Sequence, residues 1–129
     1  MKNNILKSII YLYYFSLFIL LIIYFFPGSI IGYLLYSDSG KQPSLVSSPA
    51  GTAINHFFYF FYLTFLGLIY NLSEKKFINS FLFLSVLSFF LELLHFFIPN
   101  RAFELKDLLA NIIGVVSIFF LFKLKKKFI

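Results

Sequence analysis

Glu92 and His95 stand three residues apart in "LELLHFFIPNRAFELKDLLANIIG", residues 91 to 114, inside an otherwise apolar run. On a helix that spacing sets a carboxylate and an imidazole about 60° apart on one face, within reach of each other or of a common ligand. Ser88 and Ser85 extend the same stripe at i−4 and i−7. Such a face can accept, donate or pass protons. Downstream, Asp107, Asn111 and Gly114 fall within about 40° on the next helix: a carboxylate, an amide that bonds across a helix pair, and a residue with no side chain to hold a neighbour off. Upstream, His56, Tyr59, Gly67 and Tyr70 lie near one face of another segment. Arg101, between the two downstream groups, carries the planar guanidinium fork suited to a phosphate or carboxylate.

Several reactions lack their residues. An E-x-x-H helix resembles half of a carboxylate-bridged di-iron site, but that chemistry needs the motif twice and two further carboxylates; this chain has it once, so neither metal nor cofactor is expected. No G-x-S-x-G, H-E-x-x-H, phosphate-cradling glycine loop or dinucleotide fingerprint occurs, and nothing in the spacing gives Ser85 or Ser88 a base. No reaction is assigned. Each polar residue also has a plainer role: Glu92 and His95 as a tie between helices, Asp107 as a helix-start cap, Asn111 as a packing amide, His56 as an interfacial histidine.

These residues belong to a chain of 129 residues, 60% hydrophobic and 12% charged, with 21 Phe, 9 Tyr and a mean hydropathy of +0.90. That exceeds what a soluble core of this size can hide, so lipid is the expected solvent. There is no cysteine, hence no disulfide or thiolate site. Crossing about 30 Å of hydrocarbon takes roughly 20 helical residues, and four segments approach that length: about 5–26, 54–72, 77–98 and 105–122. The first outlasts a signal-peptide core and ends in "FFPGS" without a cleavage site, so it is expected to remain as an anchor. The apolar piece "SIIGYLLY" in the following loop is too short to cross and is expected in the interface, with Tyr33 and Tyr36 at headgroup depth. The expected fold is therefore all-α: a single transmembrane domain, residues 1–129, forming a four-helix bundle with a long first outer loop and two short connections that make neighbouring helices antiparallel.

Lys2, Lys7, Lys75, Lys76, Lys123, Lys125, Lys126 and Lys127 fall on one side of that layout and Lys41, Arg101 and Lys106 on the other, which puts both termini in the cytoplasm. The formal charge of +6 is concentrated in the tail "KLKKKFI" and reads as an orientation signal, not a nucleic-acid surface. Richness in Phe, Ile, Lys and Asn leans toward an AT-rich bacterial source, and so toward a bacterial plasma membrane. The polar groups of three segments then share one depth, in the outer leaflet. Glu92 lies about 9 Å below the outer end of its span, where a lone carboxylate needs a partner.

In this order and spacing, Glu92, Arg101, Asp107, Asn111 and Gly114 resemble the C-terminal half of the VanZ-like family of small multi-pass membrane proteins. Members tend to carry Glu on one helix with Gln three later, Arg in the outer loop, and Asp, Asn and Gly entering the next helix. Here His95 stands in place of the Gln, adding a group that can change charge. Upstream, where members open a helix with Asp-Lys, then His and a Tyr four later, His56 is kept, Thr52 and Ala53 replace Asp-Lys, and Phe60 replaces the Tyr; Tyr59 is the nearest substitute. The resemblance covers residues 54–120. It implies a role at the cell envelope, the founding member being linked to teicoplanin resistance.

The expected function is binding of an anionic lipid or lipid-linked envelope precursor at His56, Glu92, His95, Arg101, Asp107 and Asn111. Arg101 would hold the headgroup, Glu92 and His95 would handle protons or hydroxyls, Asp107 with Asn111 would orient Arg101, and Gly67 and Gly114 would permit close helix packing. The alternative is a structural subunit whose partner is another membrane protein. Conduction along the Ser85, Ser88, Glu92, His95 stripe lacks polar groups in the inner half of the bundle.

Overall fold

A computed structural model describes residues 2–47, 50–70 and 74–128. Residues 71 and 72 of the expected second span lie outside the described residues. So do the side chains of Lys2, Tyr70, Lys75, Lys76, Lys125, Lys126 and Lys127, invoked above for a polar face and for orientation. The described chain is all-α, with five helices and no strand: α1 Lys2–Phe25, α2 Ile30–Tyr36, α3 Ala53–Tyr70, α4 Glu74–Leu94 and α5 Leu105–Phe128. The piece "SIIGYLLY", expected in the interface and outside the four spans, forms the short helix α2.

The helix ends follow local chemistry. Pro27 and Gly28 stop α1, with Gly28 at φ +83, a conformation that a side chain disfavours. Ser29 then caps α2, accepting the Gly32 N–H at 2.9 Å, and Ser37 closes it in the left-handed region. α4 is shorter at its C-terminal end than the 77–98 segment expected. Its last turn tightens to i→i+3 bonds, His95 to Glu92 at 3.2 Å and Phe97 to Leu94 at 2.9 Å, because Pro99 disfavours helix at the residue before it. Asn100 at φ 58 turns the chain, and Phe96 stacks on Phe103 at 5.1 Å to close the loop into α5.

α3 and α5 make the most extensive contact, with α1 against α3 and α4 against both α3 and α5. Gly114 is the reason α5 comes so near: a Cβ there would stand 2.5 Å from the Phe57 carbonyl oxygen and 3.0 Å from the Phe61 nitrogen. Gly67 instead faces the Ser80 hydroxyl and the Tyr13 ring. Leu20, Phe60, Leu63, Leu84, Leu91 and Val115 fill the core.

The outside is apolar too. Tyr11, Phe15, Phe18, Leu34, Phe58, Phe90, Phe97, Ile113 and Phe120 are all exposed. α1 and α5, over Asn4–Phe25 and Leu105–Leu124, are long and apolar enough to cross a membrane. α3 and α4 contain shorter apolar stretches, Ala53–Ile69 and Asn79–Leu94.

Candidate functional site

The polar residues gather where α1 and α4 end and α3 and α5 begin. Each helix contributes from a turn fixed by its own periodicity: Tyr24 from the last turn of α1, His56 from the first turn of α3, Glu92 and then His95 from the end of α4, and Asp107 and Asn111 from the first two turns of α5. Glu92 and Asn111 are 0% exposed and His95 is 3% exposed. Enclosed at this level, each depends on its neighbours for hydrogen bonds.

Tyr24 is the hub, and the sequence reading did not single it out. Its hydroxyl lies 2.8 Å from His56 Nδ1 and accepts Asn111 Nδ2–H at 3.0 Å. Its ring stacks on the His95 imidazole, centroids 5.0 Å apart and 15° from parallel, and meets the His56 ring edge-on at 5.6 Å. The far nitrogen of His56, Nε2, faces Asp107 Oδ2 at 3.5 Å. His95 Nδ1 faces Glu92 Oε1 at 3.1 Å, and that same oxygen accepts the Glu104 backbone N–H at 3.3 Å. The arrangement is two histidines, each set against one carboxylate, on either side of one tyrosine. A trace of Tyr24 was present in the sequence: Tyr13, Ser16, Leu20 and Tyr24, all buried, repeat at helical spacing on α1.

Arg101 does something other than expected. Its Nη2 donates to the Ile23 carbonyl at 2.7 Å and its Nε to the Phe26 carbonyl at 3.4 Å. A cation is thereby placed on the carbonyls that α1 leaves open at its C-terminus, where the helix dipole favours it. Among the described residues Asp107 and Asn111 do not orient Arg101; they pair with His56 and Tyr24, because both lie on the α5 face turned to α3 and α1. Nor does Glu92 pair with Arg101 directly. Burial draws the guanidinium below its usual value while Tyr24, Glu92 and Asp107 oppose that shift, and an arginine remains charged regardless.

The serine stripe is closed off. Ser85 donates to the Phe81 carbonyl at 2.9 Å and Ser88 to the Ser85 carbonyl at 2.9 Å, so both hydroxyls are engaged with their own helix. Tyr59 turns away from the cluster and donates to the Ser16 carbonyl of α1 at 2.9 Å. Phe60 is a core residue.

Two clefts flank Arg101 and His95. One, about 80 Å³, is walled by Tyr24, His56, Asn55 and Ile30. The other, about 200 Å³, is walled by Asp107, Glu104, Asn100 and the two stretches of chain flanking α2, at Gly28 and Ser29 and at Ser39 and Gly40. Ser29 and Gln42, from the segment around α2, line both. Asn55 holds that segment down, donating to the Pro43 carbonyl at 2.7 Å and accepting the Leu45 N–H at 2.9 Å. Three enclosed atoms in the cluster make no hydrogen bond among the described residues: Glu92 Oε2, His95 Nε2 and Asp107 Oδ1. No three His, Asp or Glu residues among those described are grouped to hold a metal ion. What the cluster offers is oriented acceptors and a fixed guanidinium beside open space.

Set against known protein families, curated proteins and solved structures, the chain matches none.

Proposed function

We propose that this is a multi-pass, VanZ-like protein of a bacterial plasma membrane that holds the phosphate-bearing headgroup of a lipid or lipid-linked envelope component. In this reading α1, α3, α4 and α5 form a four-helix transmembrane bundle. Both termini are cytoplasmic, and the Tyr24 cluster lies in the outer leaflet under α2. The apolar exterior supports embedding, the lysine distribution supports the orientation, and the ordered set Glu92, Arg101, Asp107, Asn111 and Gly114 supports the family. The observation that carries the function is the pair of cleft-lining residues, His95 and Asp107, each buried with one atom unpartnered, in the same cleft as Arg101. Polar groups kept only to lock helices are normally satisfied by one another.

A second reading has its own support: Arg101 spends donors on α1 carbonyls, as a structural tie would. Native mass spectrometry separates the two. Wild-type protein and the Arg101→Lys variant, which keeps the charge but loses the fork, are extracted in one mild detergent and their bound lipids identified. Under the ligand reading one lipid class accompanies the wild type and is depleted from the folded variant; identical bulk phospholipid on both favours the helix lock and a protein partner. The absence of cysteine makes orientation testable as well. A thiol at Ser39 should react with an impermeant maleimide on intact cells and one at Lys123 only after lysis, and the reverse pattern would invert the topology.

A further inference from the structure

We propose that the headgroup held here has two poles, a phosphate against Arg101 and a hydrogen-donating primary ammonium against Asp107 and His95. This narrows the reading above and rests on it.

The inference comes from following each polar hydrogen. Asn111 Nδ2–H donates to the Tyr24 oxygen at 3.0 Å, so the tyrosine hydrogen is free to go to His56 Nδ1 at 2.8 Å, its shorter contact. His56 then carries its own hydrogen on Nε2, facing Asp107 Oδ2. Glu92 Oε1 accepts a backbone N–H from Glu104 and faces His95 Nδ1, so in a neutral His95 the ring hydrogen sits on Nδ1 and Nε2 is a bare lone pair. With the histidines neutral and the carboxylates ionised, the three unpartnered atoms, Glu92 Oε2, His95 Nε2 and Asp107 Oδ1, are acceptors, and Asn111 Oδ1, 3.4 Å from the Tyr24 hydroxyl, joins them once that hydroxyl turns to His56. Whatever completes the cluster must bring hydrogens, and a phosphodiester brings none.

Charge points the same way. With both histidines neutral, Glu92 and Asp107 outweigh Arg101 by one negative charge. A purely anionic headgroup would add to that excess in a poorly screened site, whereas an ammonium offsets it. Position allows both poles at once, since Arg101, His95 and Asp107 line the same cleft, with Glu104 at its edge. Its volume of about 200 Å³ suits a compact headgroup. Two of the arginine's nitrogens are held by the α1 carbonyls, and no hydrogen bond among the described residues uses the third, Nη1.

The test offers the wild-type protein, stripped and reconstituted in nanodiscs, three lipids with matched chains: phosphatidylethanolamine, phosphatidylcholine and phosphatidylglycerol. The first has an ammonium with N–H donors, the second the same charge without them, and the third an anion with hydroxyls. Retention is read by native mass spectrometry. Phosphatidylethanolamine should be retained about tenfold over the other two, since phosphatidylcholine lacks the hydrogens the acceptors need and phosphatidylglycerol lacks the positive charge that offsets the carboxylates. Asp107→Asn, which keeps the side-chain shape, should shrink the preference to about twofold while helix content by circular dichroism is unchanged. Retention of phosphatidylcholine equal to phosphatidylethanolamine in the wild type overturns the proposal without any variant. Phosphatidylglycerol retained best, and lost in Arg101→Lys, overturns the ammonium pole and leaves the headgroup site standing. If no lipid depends on Arg101, both readings fall.

Discussion

Replacing Gly114 by Ala tests the contact on which the cluster depends. The added methyl would lie 2.5 Å from the Phe57 carbonyl oxygen and 3.0 Å from the Phe61 nitrogen, roughly 1 Å short of a comfortable contact. Both obstacles are backbone atoms of α3, so no side chain can swing aside, and α5 must back away as a unit. Forcing a methyl into a filled helix interface costs about 1–3 kcal/mol. For a chain of this size that corresponds to a fall in Tm of roughly 3–12 °C. The displacement also acts on chemistry. Asp107 and Asn111 share the Gly114 face, and His56 precedes Phe57, so His56 Nε2 and Asp107 Oδ2, now 3.5 Å apart, would move beyond ion-pair distance. Thermal unfolding in mild detergent, followed by circular dichroism at 222 nm, is the assay. Gly40→Ala is the control, because the nearest atom to its added methyl is an exposed Asp38 carboxylate oxygen at 3.2 Å that can rotate away. Gly114→Ala melting with the wild type would refute the close approach of α3 and α5, and with it the geometry of the site.

Tyr24→Phe should keep the stack on His95 but leave His56 Nδ1 and Asn111 Nδ2 without their shared partner, costing about 2–4 kcal/mol; Tyr33→Phe, on an exposed side chain, should be neutral in the same melts. Equal melting of the two variants would remove Tyr24 from the hub. Ser85→Ala and Ser88→Ala should change stability by less than about 1 kcal/mol and leave lipid retention intact, because among the described residues their hydroxyls bond to carbonyls of their own helix. Loss of the retained lipid in either would restore the serine stripe to the site.

What could be read in the sequence was the polar faces, since Glu92 with His95, and Asp107 with Asn111 and Gly114, follow from helical spacing alone. Helix-stop chemistry was legible where proline and glycine cluster, at Pro27 and Gly28, but the i→i+3 tightening that ends α4 at Leu94 was not, because Pro99 sets a limit without saying how many turns before it the helix loosens. Partner choice was the larger omission. Arg101 binds the Ile23 and Phe26 carbonyls, and a backbone acceptor leaves no signature in side-chain types. Tyr24 escaped notice for a related reason: in an apolar helix a tyrosine reads as an interfacial anchor until another helix brings a histidine and an asparagine to its hydroxyl.

The same distinction bears on function. Spacing shows which residues face one another, while only the donor and acceptor accounting across four helices shows what remains unfilled. A cluster serving stability alone gains from satisfying every buried group, and leaving one acceptor bare costs about 1–3 kcal/mol. Among the described residues three are without a partner, and two of them belong to residues that line one cleft with Arg101. On the proposed reading the stability lost in the empty protein returns when a headgroup donates into those acceptors. Ligand and fold would then be coupled: phosphatidylethanolamine should raise the melting temperature of the wild type and leave that of Asp107→Asn nearly unmoved. A helix lock predicts no such difference, because its stability owes nothing to what occupies the cleft.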